Sequence, residues 1–182
     1  FQEPLDNGGR PVEHYLVTLR DTSQPEAMSS VVVYQDEQKS ATFLGLQNGQ
    51  EYEFNIKVKT SGYDSPTGPG VSGFGTPFKI SLPVDNLVAQ PLDQSGMLSW
   101  DLPSDTGGFE LTSVNIRVNG GQVVTLSGTA TQYNAVGLQN GQSAIVEVSV
   151  STIHGESPRR TVEFIPFSDP IIESVSVVND KM

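Results

Sequence analysis

GLQNGQEYEFNIKV, residues 45–58, decides the reading of this chain, because GLQNGQSAIVEVSV stands 92 positions later at residues 137–150. The same six residues open both stretches, and the same alternation follows them. Tyr52, Phe54, Ile56 and Val58 alternate with Glu53, Asn55 and Lys57, as Val146, Val148 and Val150 do with Glu147 and Ser149. A period of two gives a strand one apolar and one polar face.

A second pair of anchors lies upstream. DNGGRPVEHYLVTL from Asp6 matches DTGGFELTSVNIRV from Asp105 at an offset of 99. The first copy therefore carries seven extra residues between its anchors, assigned to RDTSQPEAMSS at 20–30, opposite the tight NGG at 119–121. Repeats of this length are domain-sized rather than solenoid units. The expected domains are residues 1–78, 79–167 and, as the start of a third module or a linker, 168–182. Phe1 falls on the Trp100 slot, so the first copy is expected to lack its first strand, and the chain to be a segment of a longer array.

Tyr15, Val17 and Leu19 alternate in the same way, as do Val114, Ile116 and Val118. Gly and Pro punctuate these runs and helical spacing is absent, which points to antiparallel sandwiches. The residues resemble the fibronectin type III domain. The resemblance rests on Trp100, the Gly-Gly turns, EHYLVTL and LQNGQEYEFNIKV, in the same order twice. It implies an all-β fold of tandem seven-stranded sandwiches, with sheets A-B-E and C′-C-F-G and no strand A in the first copy. In the second copy it places B near 97–100, C at 112–118, C′ at 122–126, E near 132–136, F at 144–151 and G near 160–165. LQNGQ becomes the E-to-F connection, with Leu46 and Leu138 turned inward and Asn-Gly at the bend. Trp100 and Tyr15 belong to the core. Tyr52 takes the tyrosine-corner position, where the second copy has Ala144. Asn119-Gly120 reads as a hairpin turn.

The remaining patterns speak against chemistry. With 10 basic and 21 acidic residues the net charge is −11, which opposes binding to nucleic acid or anionic lipid. There is no cysteine, hence no disulfide, thiolate metal site or cysteine nucleophile. No apolar run reaches membrane-spanning length. GPGVSG at 68–73 fits G-x-G-x-x-G, but Pro69 interrupts it and no helix follows, so it reads as a loop leading into strand G. His14 and His154 have Ser113 and Gly62 as counterparts, so neither is repeated. The acidic residues form no EF-hand loop. A loose calcium site between domains stays open.

Recognition in sandwich folds belongs to loops and edges. One pole gathers residues 3–11 and 61–70, with Arg10 and Tyr63 as its contact-capable side chains, and neither copy carries Arg-Gly-Asp. The other carries the 20–30 loop beside LQNGQ, with Pro25 and Met28. Pro77 and Pro83 stiffen the link between copies, so a semi-rigid rod is expected. The expected function is a non-catalytic spacer and protein-interaction array without a cofactor or small-molecule substrate. Its partners would be other protein modules or neighbouring subunits. The alternatives are a structural part of a virus or phage particle and an accessory module of a secreted carbohydrate-active enzyme. The expected setting is extracellular, at the cell surface, or in a virion.

Overall fold

The computed structural model describes residues 1–63 and 67–169, without the side chains of 67–69. The expected third module therefore lies, beyond Asp169, outside the described residues. The chain divides into two compact units, Phe1–Lys79 with Gly107–Phe109, and Ile80–Thr106 with the chain from Glu110 onward. Among the described residues, every regular element is a strand.

The first unit is one antiparallel sheet. Strands β1 (Val12–Asp21), β2 (Met28–Tyr34), β3 (Tyr52–Thr60) and β4 (Thr67–Gly75) lie in the order β2-β1-β3-β4. Alternating β-branched and aromatic residues favour this pleated arrangement and line its inner face. Tyr15, Val17 and Val33 are buried there, with Val31, Phe43, Ile56 and Val58 packed around them.

The second unit is a complete sandwich. One sheet holds β5 (Asp85–Leu92), β6 (Ser95–Asp101) and β9 (Gln132–Val136), in the order β5-β6-β9. The other holds β7 (Ser113–Val118), β8 (Val123–Ser127), β10 (Ala144–Thr152), β11 (Gly155–Glu156) and β12 (Arg160–Phe164). In that sheet β10 pairs with β7, and both β11 and β12 pair with β10. Leu98, Val114, Ile116, Val146, Val148 and Val150 meet between the sheets at 0 % exposure. Trp100 is buried among them, and its indole Nε1 donates to the Ala130 carbonyl at 2.9 Å, so the one polar atom of the ring is satisfied. The fold is thus all-β, a tandem of two antiparallel units of which the second is a full sandwich. The Asn119-Gly120 hairpin has positive φ at both residues, 50° and 69°, as a type I′ turn requires.

Three features depart from the sequence reading. The described residues of the first unit include no strand at the E position. In the second unit E (β9) is held by pairing with B (β6). Its counterpart in the first, residues 40–44, has no strand beside it and is irregular. Secondly, the seven extra residues are not simply a loop. Most extend the β1–β2 hairpin, which pairs as far as Arg20↔Met28, leaving only residues 22–27 outside the strands. Thirdly, residues 68–73 lie within β4 rather than in a loop before it, since the backbone keeps pairing with β3 across a bulge between Ile56 and Val58.

Candidate interaction surfaces

The repeated hexapeptide is a joint in both units. Gly49 donates its N–H to the Pro77 carbonyl and Gly141 to the Pro166 carbonyl, each at 2.9 Å. Within each copy the last Gln donates back to the first, Gln50 to Gln47 and Gln142 to Gln139. Gly49 and Gly141 have φ near 80°, which suits the third position of such a turn. The outer supports differ. In the first unit the Tyr52 hydroxyl accepts the Gln47 N–H at 3.0 Å. In the second, Leu138 N–H donates to the Gln94 carbonyl, and Asn140 both accepts from Gln94 N–H and donates to Asp93. Leu138 is buried, Leu46 only partly so.

One pole of the first unit brings Arg10 and Tyr63 together. Asp6 and Asn7 cap the N–H groups of Gly8 and Gly9, both at positive φ, and so turn the chain into β1. Arg10 Nη1 donates to the Ser61 carbonyl at 3.0 Å, and the guanidinium lies 5.2 Å from the Tyr63 ring centroid. Tyr63 remains half exposed, so the pair forms a cationic aromatic patch open to solvent.

At the other end of the same sheet, the 22–27 turn is anchored by Asp21. Its Oδ1 accepts from the Ser23 N–H and hydroxyl, each at 2.7 Å, and from Gln50 Nε2 at 2.9 Å. The hydrogen bond from the Ser23 hydroxyl, reinforced by backbone N–H donors, holds the Asp21 carboxyl below the usual aspartate range. Pro25 is exposed at the turn. Met28 is 63 % exposed, but it sits at the start of β2, opposite Arg20, not in a loop.

The outer faces are laced by cross-strand ion pairs that sequence reasoning missed. Arg20 meets Glu53, Lys59 meets Glu13 at 2.7 Å, and Arg159 lies 3.5 Å from Glu147 and 3.3 Å from Glu156. Ser149, buried on β10, donates to the same Glu156 at 2.5 Å. Once register is known these pairs follow directly, since Arg20 stands opposite Glu53. Register, however, depends on which strands are neighbours. The charges stitch strands together and do not converge on a reacting atom. His14 packs edge-on against Tyr34 in the first unit, and His154 lies in the β10–β11 turn of the second. Among the described residues, no group of three or more His, Cys, Asp or Glu is placed to hold a metal ion. No helix there is long and apolar enough to cross a membrane.

Residues 1–74 match the family model of the fibronectin type III domain. Among solved structures, the chain resembles a two-domain fibronectin type III segment of chicken tenascin, at 18 % identity and a TM-score of 0.49. That match covers 90 % of this chain and 88 % of the other. It also resembles the FN1–FN3 domains of chicken CNTN1, at 17 % identity and a TM-score of 0.45, covering 91 % of this chain and 60 % of that one.

Proposed function

We infer that the chain is a non-catalytic spacer and protein-interaction segment. Fibronectin type III domains are typically structural or interaction modules of this kind. The observation that carries the reading is the use made of polar groups. Cross-strand ion pairs, turn caps and the Trp100 indole bond engage polar groups of both units in holding the strands and turns, and much of what faces outward is sheet face, strand edge and loop. Such surfaces meet other polypeptides through edges and apolar patches. The partners are other protein modules or neighbouring subunits, and the setting is outside the cell or on its surface.

Cross-linking through lysines in the native source material tests this. Lys57 and Lys59, side by side on the polar face of β3, should give links to a second protein. Links confined to this chain, or retention of the purified chain on polysaccharide, would overturn the reading.

A further inference from the structure

The sheet β2-β1-β3-β4 of the first unit has an outer face, opposite the one that buries Tyr15, Val17 and Val33. Register sets Met28, Arg20 and Glu53 side by side in one row across that face, and Val32, Leu16 and Lys57 in another. Between these rows lies a hollow of about 500 Å³, lined also by Thr18 and Asn55.

The second unit shows the same place closed. The repeat puts Asn115, Arg117, Glu147 and Ser149 where the first unit has Leu16, Thr18, Asn55 and Lys57. There they leave no room for a water molecule. Arg159 lies 3.5 Å from Glu147 and 3.3 Å from Glu156, and Ser149 donates to Glu156, so the charges cover one another. In the first unit Arg20 pairs with Glu53, but the partly buried Lys57 ammonium has no ion-pair or hydrogen-bond partner among the described residues. The apolar content differs as well. Val32 and Leu16 stand where the second unit has Thr125 and Asn115, and Met28, Tyr34 and Phe74 are exposed on the same face.

We propose that this outer face docks an acidic, apolar segment of another protein. One carboxylate of that segment meets Lys57 in the hollow, and the apolar side chains beside it lie on Leu16, Met28 and Val32. A partly desolvated cation favours an opposite charge that restores what it has lost of its hydration. An exposed apolar patch around it supplies the contact area. The net charge of −11 repels an acidic partner from the rest of the chain, so the local cation fixes where such a partner can bind. The assignment rests on the interaction reading above and names the chemistry of one partner.

The test titrates the whole isotope-labelled chain with the blocked pentapeptide Gly-Val-Glu-Phe-Gly and with its Gln and Lys counterparts. The Glu peptide should shift the amide resonances of Leu16, Thr18, Asn55 and Lys57 saturably at millimolar concentration. The Gln peptide should bind about fivefold or more weakly, because it cannot form the charge-assisted bond. In Lys57→Gln the two peptides should bind alike, and in Met28→Ser both should weaken together. Equal binding of the Glu and Gln peptides to the parent chain, a preference for the Lys peptide, or no saturable shift at millimolar concentration would overturn the docking face. So would shifts centred on Asn115 and Ser149, or shifts that follow the concentration of the chain instead of the peptide, which would give the face to a second copy. Failure here leaves lysine cross-links to a second protein intact, so the two readings fall separately.

Discussion

The Tyr52 hydroxyl accepts the Gln47 backbone N–H at 3.0 Å, closing the turn that feeds β3. In the second unit Ala144 fills the Tyr52 position and contributes no hydroxyl. There the neighbouring 93–94 turn binds the joint through Leu138 and Asn140. The same bend is thus held from within in one unit and from a flanking hairpin in the other.

Replacing Tyr52 with Phe keeps the ring and removes the acceptor. A bond of this kind contributes about 1 kcal/mol, a factor of about five in an equilibrium. Native-state hydrogen exchange at the Gln47 amide should speed up by about that factor. An unchanged rate would mean that the bond carries no weight.

The two hexapeptide asparagines should respond differently to the same change. Asn140→Ala removes one bond from Gln94 N–H and one to Asp93, and should cost the second unit about 1–2 kcal/mol. Asn48→Ala should cost the first unit less than about 0.5 kcal/mol, in the range of surface substitutions. Denaturant midpoints of the two variants check this, and equal losses would refute it.

Trp100→Ala should destabilise the second unit by about 3–5 kcal/mol, since it empties a closed core and orphans the Ala130 carbonyl. Thermal unfolding followed by far-UV circular dichroism measures the loss. A cost below about 1 kcal/mol would contradict the burial. Trp100 is the single Trp, so its fluorescence in the parent chain reports on the second unit.

The Asp21 turn should respond to acid. The folded carboxyl titrates below its ordinary value of 3.8, so the folded state favours the ionised form. The resulting stability is complete above the unfolded value and is lost as pH falls through the lower folded one. Carbon-13 shifts of the Asp21 carboxyl should therefore stay constant from neutral pH to about pH 4.5 and move only below the usual aspartate range. In Asp21→Asn the acid response of the Ser23 amide should vanish. A midpoint at or above 3.8 would contradict the capping geometry.

The alternation at Tyr52–Val58, its echo at 146–150 and the Asn-Gly turns were enough to read out strands and the sandwich class, while the pairing partners came from the resemblance to the fibronectin type III domain. Each is a local pattern whose physical meaning does not depend on the rest of the chain. Residues 40–44 are the repeat counterpart of strand E and are nonetheless irregular, because a strand needs a neighbour and no local pattern records whether one is present. Arg10 and Tyr63 were legible as exposed side chains at one pole. Their stacking was not, because it follows from β1 pairing with β3 through Val12↔Thr60. Met28 was read as a loop residue because extra length looks like a loop, whereas a hairpin can lengthen by two residues at a time without leaving its register.

The joint also bears on the chemical ageing of the chain. An Asn followed by Gly is prone to deamidation, because the glycine nitrogen is unhindered and attacks the side-chain amide to form a cyclic imide. Three such glycine N–H groups are held in hydrogen bonds, Gly8 to Asp6, Gly49 to Pro77 and Gly141 to Pro166. At the fourth, the β7–β8 tip, it is Gly121 rather than Gly120 that donates back to Val118. The bonds that fix the repeated bend in place therefore also restrain Asn48 and Asn140 from this reaction, while at the tip it is the Asn119 side chain that is held, its Oδ1 accepting the Ile145 N–H at 2.8 Å.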